Sequence, residues 1–213
     1  MVRIYLFRHG ETDWNKERRL QGQSDIPLNG EGRELAVRKA EALRAEGLFF
    51  DRAFCSPLHR ARETAEILIG GGSTPLTVDG RLKEMCFGEF EGGYFDEVKQ
   101  KDSSHPLHNF FCRPKAYIPP AGAESFQEAA ARGKEFLEEE ILPLEGICGK
   151  VLIVAHGAFN RCILNAILGI PEEDFWKIVL PNCAASILSL ENGKLGVVES
   201  SKVFYGEALN GSP

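Results

Sequence analysis

The strongest constraint on the fold comes from two short runs that lie far apart in the chain. Val2 to Phe7 (VRIYLF) and Lys150 to Ala155 (KVLIVA) are rich in β-branched residues and almost continuously apolar, as strands are when both faces are covered. Both lead into a histidine followed by glycine, His9-Gly10 and His156-Gly157, and then into helix-period sequence. A weaker third copy, RAFCS (Arg52 to Ser56), runs through Pro57 into LHRARETAEILI, where Leu58, Ala61, Ala65 and Leu68 recur at helical spacing. Asn29 is placed to cap a helix through GEGRELAVRKAEALRAEG that stops at Gly47. Glu124 to Glu140 (ESFQEAAARGKEFLEEE) reads as a long amphipathic helix, and ASILSL and LGVVES flank Asn192-Gly193 as a hairpin on an antiparallel edge. Strands alternating with helices predict an α/β fold, a three-layer α/β/α sandwich on a mainly parallel central sheet.

One stretch breaks this rhythm. From Cys86 to Ala123 the chain is rich in Gly, Pro, His and aromatic residues, with room for short helices only, and an insertion of that size usually covers or shapes a site. Its Phe87, Phe90, Phe95, Phe110, Phe111 and Tyr117 suit core packing first and the wall of an apolar pocket second. IGGGSTP lacks a strand-to-helix setting and reads as a loop. A net charge of -6 argues against nucleic acid or an anionic membrane as partner, since both need a broad basic surface. No signal-peptide pattern and no membrane-length apolar run is present, so a cytoplasmic chain is the simplest expectation. The six cysteines, without any C-x-x-C pair, are expected to be reduced packing residues.

In open α/β sheets, ligands gather beyond the carboxyl ends of the strands, where Arg8-His9-Gly10 and His156-Gly157 would both emerge. Each glycine lets the backbone turn and approach a ligand, and each following helix has N–H groups to offer an anion. Arg60, just beyond the third strand, adds a guanidinium. His9, His156 and Glu84 are metal-ligand types, but fixed cations beside them oppose a dication and match the oxygens of a phosphate. A phosphate site with neither metal nor cofactor is the expectation. Glu84 competes by spacing with Glu89 and Glu91, and His59, His105 and His108 read as structural, with a place in the lid as the alternative for the last two.

FRHGETDWN, LQGQSDIPLNGEG, CSPLHRARETAEIL, RLKEMCFGEFEG, PPAGAESF and VLIVAHGAFNR, in that order, resemble the histidine phosphatase superfamily, which also contains the cofactor-dependent phosphoglycerate mutases. The resemblance implies a phosphoglycerate mutase-like domain over residues 1–213, with 86–123 as an active-site lid. It implies His9 as nucleophile, Arg8, Arg60 and His156 with Gly157 as the pocket for the phosphoryl group, Glu84 as general acid, and Asn15, Gln21 and Gly22 as pocket lining. Ala123 departs from the commoner GGES. Met85 stands where the mutases resemble one another in having arginine, and LQGQSDIPL with FGEFEG is closer to the phosphatase branch.

The residue types suit the reaction on chemical grounds. A neutral imidazole attacks a phosphomonoester to give a phosphoramidate that water later hydrolyses. The arginines offset charge on the oxygens, and a carboxyl group protonates the leaving alkoxide. The expected function is a metal-independent phosphomonoester hydrolase acting through phosphohistidine on a small phosphorylated metabolite. A cofactor-dependent phosphoglycerate mutase and a non-catalytic phosphate-binding module are the alternatives. The substrate and the oligomeric state stay open, a homodimer included.

Overall fold

The computed structural model of the chain describes residues 1–100 and 104–202. A six-stranded sheet is built from β1 (Val2–Arg8), β2 (Arg52–Cys55), β3 (Leu76–Val78), β4 (Lys150–Ala155), β5 (Ala185–Glu191) and β6 (Lys194–Lys202), in the order β3-β2-β4-β1-β5-β6. β1, β2, β3 and β4 run parallel, and β5 lies antiparallel to both β1 and β6. The two runs that set the fold are therefore central neighbours. Their register pairs Arg8 with Ala155, and the His9 N–H donates to the Ala155 carbonyl at 3.0 Å, so both strands deliver their histidines at the same end of the sheet, beyond their carboxyl termini.

Period-2 alternation sorts β1 and β4 onto two cores. Ile4, Leu6, Val151 and Ile153 face one side, with Phe136, Phe159 and Ile163 from α6 (Phe126–Phe136) and α7 (Gly157–Leu168). Tyr5, Phe7, Leu152 and Val154 face the other, with Ala40 and Leu43 of α2 (Gly30–Ala45) and Ala61, Ala65 and Leu68 of α3 (His59–Ile69). Helices cover both faces, as the alternation predicts. Asn29 accepts from the Gly32 N–H and starts α2, and Asn192 and Gly193, both at positive φ, turn the hairpin between β5 and β6.

Two expectations change, for the Glu124 to Glu140 helix and for the cysteines, while one strand is unforeseen and the insertion holds the short helices expected of it. β3 is a strand of only three residues after Pro75, too short to register as periodicity. The Glu124 to Glu140 helix begins later because Ser125 and Glu128 cap each other, and its last turns widen from Leu137 to Ile141. Cys112 is exposed and Cys86 half-buried, whereas Cys55, Cys148, Cys162 and Cys183 are buried; all six are free thiols. The insertion holds short helices α4 (Phe95–Val98) and α5 (His108–Cys112), completing the set with α1 (Asp13–Lys16). Its aromatics form a third core around Phe110, together with Phe126, Phe175 and Trp176. Among the described residues, no helix is long and apolar enough to cross a membrane.

Candidate active site

His9 and His156, at the ends of β1 and β4, face each other with ring centroids 5.2 Å apart and planes tilted by 57°. The His9 Nδ1 lies 2.6 Å from the Gly10 carbonyl. A carbonyl oxygen only accepts, so Nδ1 carries the proton and Nε2 keeps its lone pair. Neither nitrogen of the fully buried His156 has a partner among the described residues. Burial first, then the charges of Arg60 and Arg8, holds His9 well below the usual imidazole range; burial and Arg60 do the same to His156. Both rings are neutral at physiological pH.

The loop carrying His9 is tightly held. Thr64 Oγ1 on α3 accepts from the Gly10 N–H at 3.0 Å and donates to the Arg60 carbonyl at 2.6 Å. Asn182 Nδ2 donates to the carbonyls of His9 at 3.0 Å and Gly10 at 3.1 Å. A Cβ at Gly10 would lie 2.9 Å from the Gly32 carbonyl oxygen, so the close approach requires glycine there. At Gly157 the same atom would stand at an ordinary 3.5 Å from Arg8 Nε, so no comparable crowding demands glycine.

Arg60 is fully buried in the first turn of α3, where its Nη1 donates to the Ser24 carbonyl and its Nη2 to the Gly22 carbonyl, each at 2.7 Å. Arg8 Nη1 donates to the Leu180 carbonyl at 2.6 Å. The Nε of each is buried with no partner among the described residues. Burial pushes Arg60 down to about 10 and lowers Arg8 as well. A second buried arginine was not anticipated from the sequence: Arg161 Nε donates to the Ile178 carbonyl and Nη1 to that of Gly157, and its guanidinium lies over Trp176. Burial, then the charge of Arg8, brings Arg161 to about 10. Buried cations with unspent donors make a site for an anion.

Glu84 separates from its competitors. Its Oε1 accepts from the N–H groups of Met85 at 2.9 Å and Phe159 at 2.8 Å, and its Oε2 from that of Ala158 at 3.1 Å. This corrects one expectation: the first-turn N–H groups of Ala158 and Phe159 are spent on Glu84 and not offered to a ligand. Glu89 is exposed. Glu91 instead accepts from the N–H groups of Gln23, Ser24 and Phe87 and from Ser24 Oγ, fastening the loop whose carbonyls hold Arg60.

Gln21 is buried and its Oε1 has no partner among the described residues, while Gly22 sits at φ +52° with the Glu91 carboxylate against its α-carbon. Asn15 Oδ1 is taken up by the Thr12 N–H and hydroxyl, and by Asn182 Nδ2 at 3.4 Å, so that oxygen shapes the turn. A shallow pocket of about 280 Å³ is lined by Gln23, Cys86, Gly122, Ala123, Glu124 and Glu128. Gln23 Nε2 reaches the Glu84 carbonyl at 3.1 Å and so ties that pocket to the site. Thr64 and Arg161 lie within CSPLHRARETAEIL and VLIVAHGAFNR but carry no signal of their own there, and Asn182 lies outside every motif.

The family model described as histidine phosphatase superfamily (branch 1) matches residues 4–202. A probable phosphoglycerate mutase of Salmonella choleraesuis is 33% identical over 194 residues, covering 91% of this chain and 87% of that protein. Bacillus stearothermophilus YhfR has a TM-score of 0.86 at 33% identity, covering 95% of this chain and 98% of that one. The structure of a mycobacterial glucosyl-3-phosphoglycerate phosphatase, described as a complex with VO3, has a TM-score of 0.77 at 28% identity, covering 95% of this chain and 100% of that one. The chain belongs to the histidine phosphatase superfamily, branch 1, as an enzyme of the phosphatase type.

Proposed function

We propose that the chain hydrolyses phosphomonoesters of small metabolites in two steps through a phosphohistidine at His9, without a metal. The observation that carries this reading is the group of unsatisfied polar atoms around the free Nε2 of His9: both nitrogens of His156 and the Nε of Arg8 and of Arg60. In the first step Nε2 forms a bond to phosphorus, the ester P–O bond breaks, and the departing oxygen takes a proton from Glu84. Oε2 accepts a single N–H among the described residues, which leaves a lone pair where that proton can reside. In the second step water attacks the phosphoramidate, its proton returns to Glu84, and Nε2 is freed. Arg8, Arg60 and His156 hold the transferring oxygens, with Asn15, Gln21, Gly22 and Gly157 as lining. The insertion 86–123 serves as lid, a role supported by Glu91 and by the Gly92 and Gly93 contacts to Leu20.

A mutase reading is favoured by the name of the Salmonella relative. It calls for a second cationic cluster to hold a second phosphate. The cations of the insertion do not form one: Lys115 pairs with Glu173 at 3.3 Å, Arg113 is exposed, and Met85, where the mutases resemble one another in having arginine, is buried beside Cys162. Hydrolysis of an aryl phosphate that persists in chelator supports the proposal. Bisphosphoglycerate-dependent interconversion of phosphoglycerates faster than phosphate release would replace it with the mutase. Silence in both assays, with phosphate still bound, would leave a binding module.

A further inference from the structure

We infer that Arg132 and Glu124, outside the phosphate pocket, form a clamp that positions Glu84 for proton delivery. Arg132 lies on α6, and each of its five N–H donors has an acceptor. Nη1 donates to the carbonyls of Arg81 and Lys83, at 2.5 and 2.7 Å, and Nη2 to the Glu84 carbonyl at 3.2 Å and to Glu124 Oε2 at 2.9 Å. Nε donates to Glu124 Oε1 at 2.7 Å. The guanidinium also lies 4.3 Å from the ring centroid of Phe159, the residue whose N–H holds Glu84 Oε1. One planar group therefore grips the backbone on the N-terminal side of Glu84 and touches the residue that receives its carboxylate.

Glu124 completes the clamp. It pairs with Arg132 at both oxygens, its Oε2 accepts from the Cys86 N–H at 3.4 Å, and its own N–H donates to the Cys86 carbonyl at 2.9 Å. Residues 81–86 are thus held on both sides of Glu84. A lysine carries three donors on a single nitrogen and cannot reproduce a planar five-donor fork. Both partners have only a small fraction of their side chains exposed, 17% for Arg132 and 14% for Glu124, so the pair is sheltered from competition by water.

The inference rests on Glu84 acting as the acid, and its test separates the two ideas. Loss of the acid matters when the leaving oxygen is a strong base and little when it is a stable phenolate. Glu84→Gln, Arg132→Lys and Glu124→Gln are each assayed on glycerol phosphate and on dinitrophenyl phosphate, with vanadate inhibition as a measure of the phosphate pocket. Arg132→Lys is expected to lower kcat/KM on glycerol phosphate by roughly 10²-fold, the lower end of what a general acid contributes, with dinitrophenyl phosphate changed by less than about threefold. Glu124→Gln, which keeps the arginine, should show the same signature at smaller size and serves if Arg132→Lys does not fold. In both, vanadate inhibition should be retained. If Glu84→Gln discriminates between the substrates but the clamp variants lose both equally, or lose neither, the clamp is structural and the inference fails. If Glu84→Gln itself does not discriminate, the assignment of the acid fails first.

Discussion

At the scale of single residues, the chemistry is governed by which atoms are already engaged. The Gly10 carbonyl takes the Nδ1 proton of His9 and so exposes Nε2, while the carbonyls of Gly22 and Ser24 aim Arg60 yet leave its Nε unspent. Gly22 is the narrowest point of this arrangement. At φ +52°, a Cβ there would come within 2.1 Å of Glu91 Oε1, so alanine is strained in its backbone and collides with the carboxylate that holds Gln23 and Ser24. Gly22→Ala is expected to shift Arg60 and lower kcat/KM by roughly 10²-fold, the size associated with an ångström-scale misplacement. Vanadate inhibition should weaken in parallel. Full activity with unchanged inhibition would show that Arg60 does not depend on this loop. Arg8, His9, Arg60 and His156 were legible in the sequence because polar residues at the ends of apolar strands are conspicuous. Arg161, Thr64 and Asn182 were not, since their partners are backbone groups that only the folded chain brings near.

At the scale of elements, what the sequence revealed followed from how strongly each segment repeats its period. β1 and β4 are buried on both faces and show it as nearly continuous apolar runs, and α3 shows its buried stripe at Leu58, Ala61, Ala65 and Leu68. β3 has three residues and no room for a period. The tail of α6 was misjudged for another reason: Glu138, Glu139 and Glu140 are good helix formers, and nothing in that run signals the widened turn. The N-terminus of α7 is the instructive case. A helix following a histidine-glycine pair looks like an anion cradle, yet its donors at Ala158 and Phe159 are occupied by a carboxylate 74 and 75 residues earlier in the chain. Sequence adjacency identified the helix end, and a tertiary contact decided who uses it.

At the scale of the whole molecule, an acidic chain concentrates two buried arginines, one half-buried arginine and two neutral histidines at one end of its sheet. That arrangement gives stability a defined pH dependence. His9 and His156 have folded values well below the ordinary 6.5, so below about pH 6.5 the unfolded chain binds protons that the folded chain does not. Their contribution is intact above that pH and declines below it, by up to ~1.4 kcal/mol per histidine per pH unit. His156→Asn should flatten the fall in urea-unfolding stability between pH 7.5 and 5.5 relative to the wild type, measured in phosphate-free buffer. Identical slopes would mean that His156 binds protons alike in the folded and unfolded chains, against the neutral buried ring described above.

The central claim is that His9 Nε2 carries the phosphoryl group during turnover. Rapid quenching of the enzyme with labelled dinitrophenyl phosphate, followed by peptide mapping, tests it directly. The account predicts acid-labile label on the peptide containing His9, formed and lost at rates compatible with turnover, and neither label nor phosphate release in His9→Ala. Label on any other side chain, or undiminished hydrolysis by His9→Ala, would contradict it.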